Sequence, residues 1–520
     1  MTEREPFANE PLTDFADPEN QAAMEAALRK AKGKWGREYP LRIGNDRILT
    51  EERIVSRNPG EVGAIVGSVS KAGRGHAEQA MQAALAAFES WKRVPAEERA
   101  EILFRAADLM RNRKHEFSAW MIHEAGKNWA EADADTAEAI DFLEFYGREM
   151  IRLSRTNEIR PLTPVAGERN RVDYIPLGVG VVLPPWNFPL AICVGMTSAA
   201  VVCGNAVILK PASLTPVIAY RFAELMEEAG LPPGVINYVP GSGAEIGDFL
   251  VAHPKTRFVS FTGSKEVGLR INELAARPSP GQIWIKRVVA EMGGKDGIVV
   301  DETADLEAAA QAIVASAFGY QGQKCSAGSR AILVESVYDE VVERVRALTA
   351  GLAIGLPELN YPIGPVSDQA AYDKIMAYIE IGKREGRLIA GGGPARSPWD
   401  GYYLQPTIFV GVHGTARIMQ EEIFGPVLAI AKAKDAREAI ALYNDTEYGL
   451  TGSYFSRDPS RIAYALEEMH CGNLYVNRKC TGALVGAHPF GGFNMSGTDS
   501  KAGGYDYLLL FTQAKASSIR

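Results

Sequence analysis

Between Asp173 and Lys210 the chain carries no charged side chain. By length alone, such a run would cross a bilayer as one helix. Pro184, Pro185 and Pro189 forbid a continuous helix, and Asn187, Asn205 and several glycines interrupt it further. The run therefore reads as buried elements in series: a strand over 179–183, a turn, a buried helix and a second strand over 206–209. Membrane insertion is not expected.

Further apolar runs at 235–239, 257–261 and 297–300 extend the pattern, with segments of helical length between the first four strands. That alternation implies βαβ units and a parallel, doubly wound sheet. A second α/β set is expected after Glu291, with strands near 331–334, 407–410 and 427–431 and helices near 305–318, 336–350, 368–385 and 436–444. Helices are also expected over 18–32, over about 131–153, and after Pro95, where Ile102, Leu103, Ala106, Leu109 and Met110 recur at helical spacing. At 520 residues the chain exceeds one core. The expected architecture is α/β, with an N-terminal arm (1–38), a Rossmann-type dinucleotide-binding domain (39–156 and 175–292), an α/β catalytic domain (293–493) and an oligomerisation element (157–174 with 494–520). Residues 157–174 alternate apolar and polar and read as a projecting β-hairpin that pairs with the C-terminal tail across a dimer.

The net charge of −8 offers no basic surplus for phosphate backbones, so nucleic acid is not an expected partner. The five cysteines (193, 203, 325, 471 and 480) are odd in number and lack zinc spacing, so neither a disulfide scaffold nor a metal site is expected. A reducing compartment fits. The acidic start Met-Thr-Glu-Arg-Glu-Pro resembles no targeting segment, and a cytoplasmic protein is expected.

Three residues suggest chemistry, each beside a plainer reading. Cys325 stands among Gln321, Gln323, Lys324 and Ser326, polar neighbours unusual for a core thiol, and an ammonium beside it would favour the thiolate. A buried cysteine is more often a small hydrophobe. Glu291 ends the apolar Val288-Val289-Ala290. Desolvation there would raise its pKa toward a general base's range, although a hydrogen-bonded strand-end glutamate is, taken alone, the commoner case. Asn187 sits in the turn Pro185-Trp186-Asn187-Phe188-Pro189. Its amide would either brace that turn or hold an oxyanion, where losing such a donor costs roughly 3 kcal/mol.

The glycine runs are weaker. Gly241-Ser242-Gly243-Ala244-Glu245-Ile246-Gly247 is one residue too long for a dinucleotide fingerprint. Phe261-Thr262-Gly263-Ser264 passes from a strand into a helix whose first amides would meet a pyrophosphate. Lys210-Pro211-Ala212-Ser213 follows a strand end, where open parallel sheets bind ligands.

In order, the runs 185–189, 210–212, 261–268, Glu291-Met292-Gly293-Gly294-Lys295, Gly322-Gln323-Lys324-Cys325, Glu421-Glu422-Ile423-Phe424-Gly425-Pro426 and Pro489-Phe490-Gly491-Gly492-Phe493 resemble the aldehyde dehydrogenase superfamily over about residues 40–515. The runs 124–129, 137–142, 320–326 and 477–483 resemble more closely the branch that oxidises L-glutamate γ-semialdehyde, formed from 1-pyrroline-5-carboxylate, to glutamate in proline catabolism. The resemblance implies an aldehyde dehydrogenase-like fold and a cysteine thiohemiacetal and thioester on Cys325. Asn187 and the Cys325 amide would hold the oxyanion, hydride would pass to NAD, and Glu291 would activate water. It implies cofactor contacts from Pro185, Trp186, Lys210, Ser213, Gly263, Ser264, Glu422 and Phe424. It gives Glu138 to the substrate α-ammonium, Ser326, Gly482, Ala483 and Lys324 to its carboxylate, and Phe188 and Phe490 to its stem.

Two departures stand out. Ser213 replaces the family's glutamate on the adenosine ribose, so NADP is expected to be accepted alongside NAD. Asn494 replaces a common lysine. A homodimer or larger homo-oligomer is expected, with room for transient contact with a proline dehydrogenase. The rival readings are another semialdehyde dehydrogenase, such as one acting on succinate semialdehyde, and a non-catalytic protein that kept the fold.

Overall fold

The computed structural model describes residues 5–520, so residues 1–4 of the expected arm lie outside the described residues. Two seven-stranded sheets organise the rest. In the first, Arg287–Glu291, Thr256–Thr262, Val179–Leu183, Ala206–Leu209 and Ile236–Tyr238 lie side by side, all parallel, and the short pair Leu41–Ile43 and Asp46–Ile48 adds antiparallel strands at the edge. Alternate side chains of these strands enter different cores. Val179, Val181, Leu183, Ala206 and Ile208 pack on one face, and Val182, Val207 and Leu209 on the other. That two-faced burial explains why the strands are apolar at every position.

Chain order fixes where a ligand fits. From Val179–Leu183 the sheet grows outward through Ala206–Leu209 to Ile236–Tyr238, then restarts on the opposite side with Thr256–Thr262 and Arg287–Glu291. The loops after Val179–Leu183 and Thr256–Thr262 therefore diverge and open a crevice at the carboxyl ends of the strands, where doubly wound sheets take ligands.

The second sheet runs Arg387–Ala390, Thr407–Val410, Val427–Ala433, Arg330–Val334, Gly297–Val300, Thr451–Phe455 and Asn473–Val476, parallel except for its first strand. The strand at 297–300 thus belongs here, not with the first set. Side-chain caps start several helices, among them Asp305 for Leu306–Phe318 and Asp368 for Gln369–Glu385. A three-stranded sheet (Arg37–Tyr39, Glu61–Ser70, Arg53–Asn58) and the helices Arg74–Trp91 and Lys114–Ala125 complete the first half.

The charge-free run folds as strand Val179–Leu183, turn, helix Ala191–Val202 and strand Ala206–Leu209. Among the described residues no helix is long and apolar enough to cross a membrane. The hairpin expected over 157–174 does not form. Thr156–Ile159 is a helical turn, and Arg169–Pro176 pairs antiparallel with Thr512–Ile519 of the same chain, from Pro176 opposite Thr512 to Arg169 opposite Ile519. The Asn157 amide takes the place of a hairpin partner: it donates to the Val172 carbonyl and accepts the Val172 N–H, both at 2.8 Å.

Candidate active site

The crevice is a cleft of about 670 Å³, within the range of small-molecule sites. The turn 184–187, Lys210, Gly263, Ser264 and Met292 line the side of the first sheet, while Cys325, Glu422 and Phe424 close the other. The cleft thus lies between the two sheets, with the thiol at their junction.

Cys325 is positioned by strained backbone. Tyr320, Gln321 and Gly322 take φ of 50°, 57° and 67°, a left-handed turn after helix Leu306–Phe318. For the two side-chain-bearing residues this costs about 1–2 kcal/mol each, and buried hydrogen bonds offset it. The Tyr320 hydroxyl donates to the Ala125 carbonyl at 2.7 Å, and the Gln321 amide donates to Pro365 at 2.8 Å and accepts from Gly364 at 3.0 Å. Gln323 accepts from Ser367 at 2.9 Å. The polar residues around the thiol are therefore anchors of its loop. At Gly322 a Cβ would run into the Gly425 carbonyl, and at Gly294 into the Cys325 carbonyl, so both glycines admit close backbone approach.

The expected ammonium at the thiol is not there. Lys324 turns away to pair with Glu131 at 2.6 Å. Burial, then the charges of Asp296, Glu422 and Glu291, push the Cys325 thiol up, while the Ser326 N–H favours the thiolate. Asn187 is buried on the cleft wall and spends one amide N–H on the Gln323 carbonyl at 3.0 Å. Its second N–H remains for a ligand. Glu291 does not line the cleft. Its Oε1 accepts from the Ser500 hydroxyl, its Oε2 is buried without a partner, and burial raises its pKa to about 8.

The residues present fit a dinucleotide. Burial lowers Lys210 to about 8, and its Nζ has only a 3.5 Å contact with the Pro211 carbonyl, leaving a cation to answer phosphate or ribose oxygens. Gly263 and Ser264 open helix Lys265–Ala276, with Ser264 as its cap. Glu422 Oε1 accepts the Gly294 N–H at 3.1 Å, and Oε2 makes no hydrogen bond among the described residues. A Cβ on Gly293 would collide with that carboxylate. Phe424, at φ 60°, meets Trp186 edge-on at 5.6 Å. Ser213 is exposed and outside the lining, although its neighbours Ala212 and Leu214 belong to it. The over-long glycine run does line the cleft: Gly243–Gly247 forms a π-helical turn in its wall. Ser367, Asp368, Ala371 and Lys374, from the second half, escaped the sequence reading because no local pattern marks them.

The residues expected at the substrate do not line this cleft; several of them form a neighbouring charged group. Lys127, completely buried, sits 3.8 Å from the Phe188 ring centroid and 3.0 Å from Asp135 Oδ2, outside hydrogen-bond geometry. Glu138 is half-buried, and burial together with Asp135 raises it to about 8. Lys479 lies beside Lys324 and Glu131. Gly482 (φ 80°) is exposed, Ala483 is half-buried, Ser326 is buried, and half-buried Phe490 is tied through its backbone to Ala502. Glu131 and Lys479 escape the sequence reading because each meets a partner distant in the chain, and Lys127 and Asp135 because no local pattern marks their burial beside Phe188. Asn494 lies away from the cleft, at φ 53°, bonded to His470 at 3.2 Å.

A nucleotide cleft at the switch point of one sheet, ending on a loop-held thiol from a second α/β unit, defines a thiol-dependent dehydrogenase architecture. The chain belongs to the aldehyde dehydrogenase family, whose model matches residues 48–517. It is 61% identical over 515 residues to a 1-pyrroline-5-carboxylate dehydrogenase of Geobacillus thermodenitrificans, covering 99% of both chains. Its structure superposes on that of 1-pyrroline-5-carboxylate dehydrogenase from Thermus with bound NAD at a TM-score of 0.98, with 50% identity and complete coverage of both chains. It also matches proline utilization A from Bdellovibrio bacteriovorus (TM-score 0.96, 43% identity), covering 99% of this chain and 54% of that one.

Proposed function

We infer that this chain oxidises L-glutamate γ-semialdehyde, the open form of 1-pyrroline-5-carboxylate, to L-glutamate, a step of proline catabolism. The observation that carries this is the half-exposed Cys325 lining one cleft with Asn187 and Glu422, beside a group of mixed charge in which Lys127 and Asp135 are buried and Glu131, Glu138 and Lys324 half-buried. The Cys325 sulfur attacks the aldehyde carbon while the free amide N–H of Asn187 and the Cys325 backbone N–H take the oxyanion. NAD, when bound, would supply the acceptor for the hydride that leaves the carbon held on Cys325, which thereby becomes the thioester carbon. Lys210, Gly263, Ser264 and Glu422 hold the dinucleotide, with Pro185, Trp186 and Phe424 packed beside it. Glu291 leaves Ser500, takes a proton from water, and the resulting hydroxide attacks the thioester carbon. Glutamate departs and the thiol is restored.

A zwitterionic substrate matches the charged group. Glu138 takes the α-ammonium, and Ser326, Gly482, Ala483 and Lys324 take the carboxylate, since buried charge requires partners. Phe188 and Phe490 flank the stem. Initial rates with 1-pyrroline-5-carboxylate, succinate semialdehyde and propanal, on NAD and on NADP, test the reading. The first substrate should be preferred, and Glu138→Ala should raise its KM about tenfold or more without weakening turnover of propanal. A preference for succinate semialdehyde would overturn the substrate, and no turnover of any aldehyde would overturn the enzyme. Ser213 brings no carboxylate to repel a 2′-phosphate, so NADP should be used as well.

Glu291 must be ionised to act as base. With its pKa raised to about 8, the active carboxylate is scarce below pH 7 and accumulates as pH rises through 8. Turnover should therefore climb between pH 7 and 9. Glu291→Gln should remove that limb and cost about 100-fold or more in steady-state rate; an unchanged profile would exclude the role.

The domain limits 39–156 with 175–292 and 293–493 are proposed on the separate cores of the two sheets. A second copy of the chain would cover the two-stranded ribbon, since ribbons of this kind are marginal alone, and Leu162, Val165 and Ile519 lie exposed on or near it. Homodimers or larger assemblies follow, with transient contact with a proline dehydrogenase as substrate source. Five free thiols support a cytoplasmic setting.

A further inference from the structure

The first described residues do not trail into solvent. They run along helix Trp129–Ser154, the helix that carries Glu138, and are fastened to it on both sides of that residue. Thr13 donates to Asp133 through its backbone N–H at 2.8 Å and its hydroxyl at 2.6 Å. Glu10 donates its N–H to Asp141 Oδ1 at 2.6 Å. Just before Glu10, the Asn9 amide nitrogen spends its two hydrogens in two directions. One goes to Asp141 Oδ2 at 2.8 Å and the other to the Val485 carbonyl at 3.0 Å. Among the described residues, no other hydrogen bond links the arm or this helix to residues 481–487. Phe7 adds an apolar contact at the same place. It meets Phe145 edge-on at 5.3 Å and lies against Gly486, whose φ of 78° and crowded Cβ position leave room only for glycine.

Asp141 stands three residues after Glu138 and shares its helix face. Val485 stands two residues after Ala483. We propose that Asn9 is a positioning residue that holds the turn carrying Gly482 and Ala483 at a set distance from Glu138, and so sets affinity for the α-amino-acid end of the substrate. This rests on the roles given to Glu138, Gly482 and Ala483 above. The arm touches neither the thiol nor the dinucleotide cleft, so its effect is confined to substrates that reach both groups at once. An aldehyde without an amino-acid end does not depend on the spacing.

The test compares the full-length wild type with Asn9→Ala and Phe7→Ala, using 1-pyrroline-5-carboxylate and propanal at saturating NAD, together with thermal melting. Asn9→Ala should raise KM for 1-pyrroline-5-carboxylate about tenfold, equivalent to about 1.4 kcal/mol. Its kcat, its KM for NAD and its kcat/KM for propanal should stay within about twofold of wild type. Phe7→Ala should move the same KM in the same direction. An unchanged KM in both variants, with the wild type still preferring 1-pyrroline-5-carboxylate, overturns the positioning role and leaves the substrate reading intact. Equal losses on both aldehydes with a lowered melting temperature also overturn it, because they mark a structural brace. A wild type that does not favour 1-pyrroline-5-carboxylate over propanal removes the substrate reading first, and this inference with it.

Discussion

Replacing Cys325 by alanine should abolish aldehyde oxidation, with a loss of about 10⁴-fold or more in kcat, while NAD still binds and the chain melts as the wild type does. The sulfur faces the cleft and has only the adjacent Ser326 N–H as a partner, while its loop is held by Tyr320, Gln321 and Gln323. Alkylation gives a second readout. Cys193, Cys203, Cys471 and Cys480 are buried and Cys325 alone is partly accessible, so iodoacetamide should modify one thiol per wild-type chain and none in Cys325→Ala. Because burial and three neighbouring carboxyl groups oppose the thiolate, labelling should accelerate as pH rises. Substantial turnover in the alanine variant would remove covalent catalysis from the account.

Gly322→Ala should be nearly as damaging although it changes no reacting group. The position requires φ of 67°, and the new methyl would strike the Gly425 carbonyl. Left-handed strain alone costs about 1–2 kcal/mol, and the collision is with backbone that cannot rotate aside. Relief has to come from moving the loop that ends at Cys325. A shift of about 1 Å at a reacting atom can cost about 100-fold in rate. A loss of that size in kcat, with a lowered melting temperature, is expected. Gly63→Ala, whose added methyl meets nothing within 4 Å, serves as the control and should behave as wild type. If both alanine variants are equally active, the loop is more compliant than its packing implies.

Both results bear on what was readable in advance. The strands Val179–Leu183 and Ala206–Leu209 were legible because burial on both faces leaves an uninterrupted apolar run, and helix Pro18–Lys32 because Asp17 and Pro18 form a local start signal. The cleft wall was legible at Gly263 and Ser264 because strand, turn and helix follow one another in the chain. The substrate side was less so. Lys324 is adjacent to Cys325, where an ammonium would favour the thiolate, yet it pairs with Glu131, far away in sequence. Asn157 replaces the hairpin partner by a side-chain device that no strand pattern reveals.

By itself the sequence determined the alternation of strands and helices and the family, and it singled out Cys325, Glu291 and Asn187 as candidates for the chemistry, because periodicity and motif order are properties of neighbours along the chain. Only the tertiary structure decided which way Lys324 points, that Glu291 rests on Ser500 away from the cleft, that Lys127 and Asp135 lie buried beside Phe188, and that Asn9 bonds both Asp141 on the Glu138 helix and the Val485 carbonyl. These are contacts between segments distant in sequence. Their energies come from desolvation and hydrogen-bond geometry, which exist only once the segments are packed together.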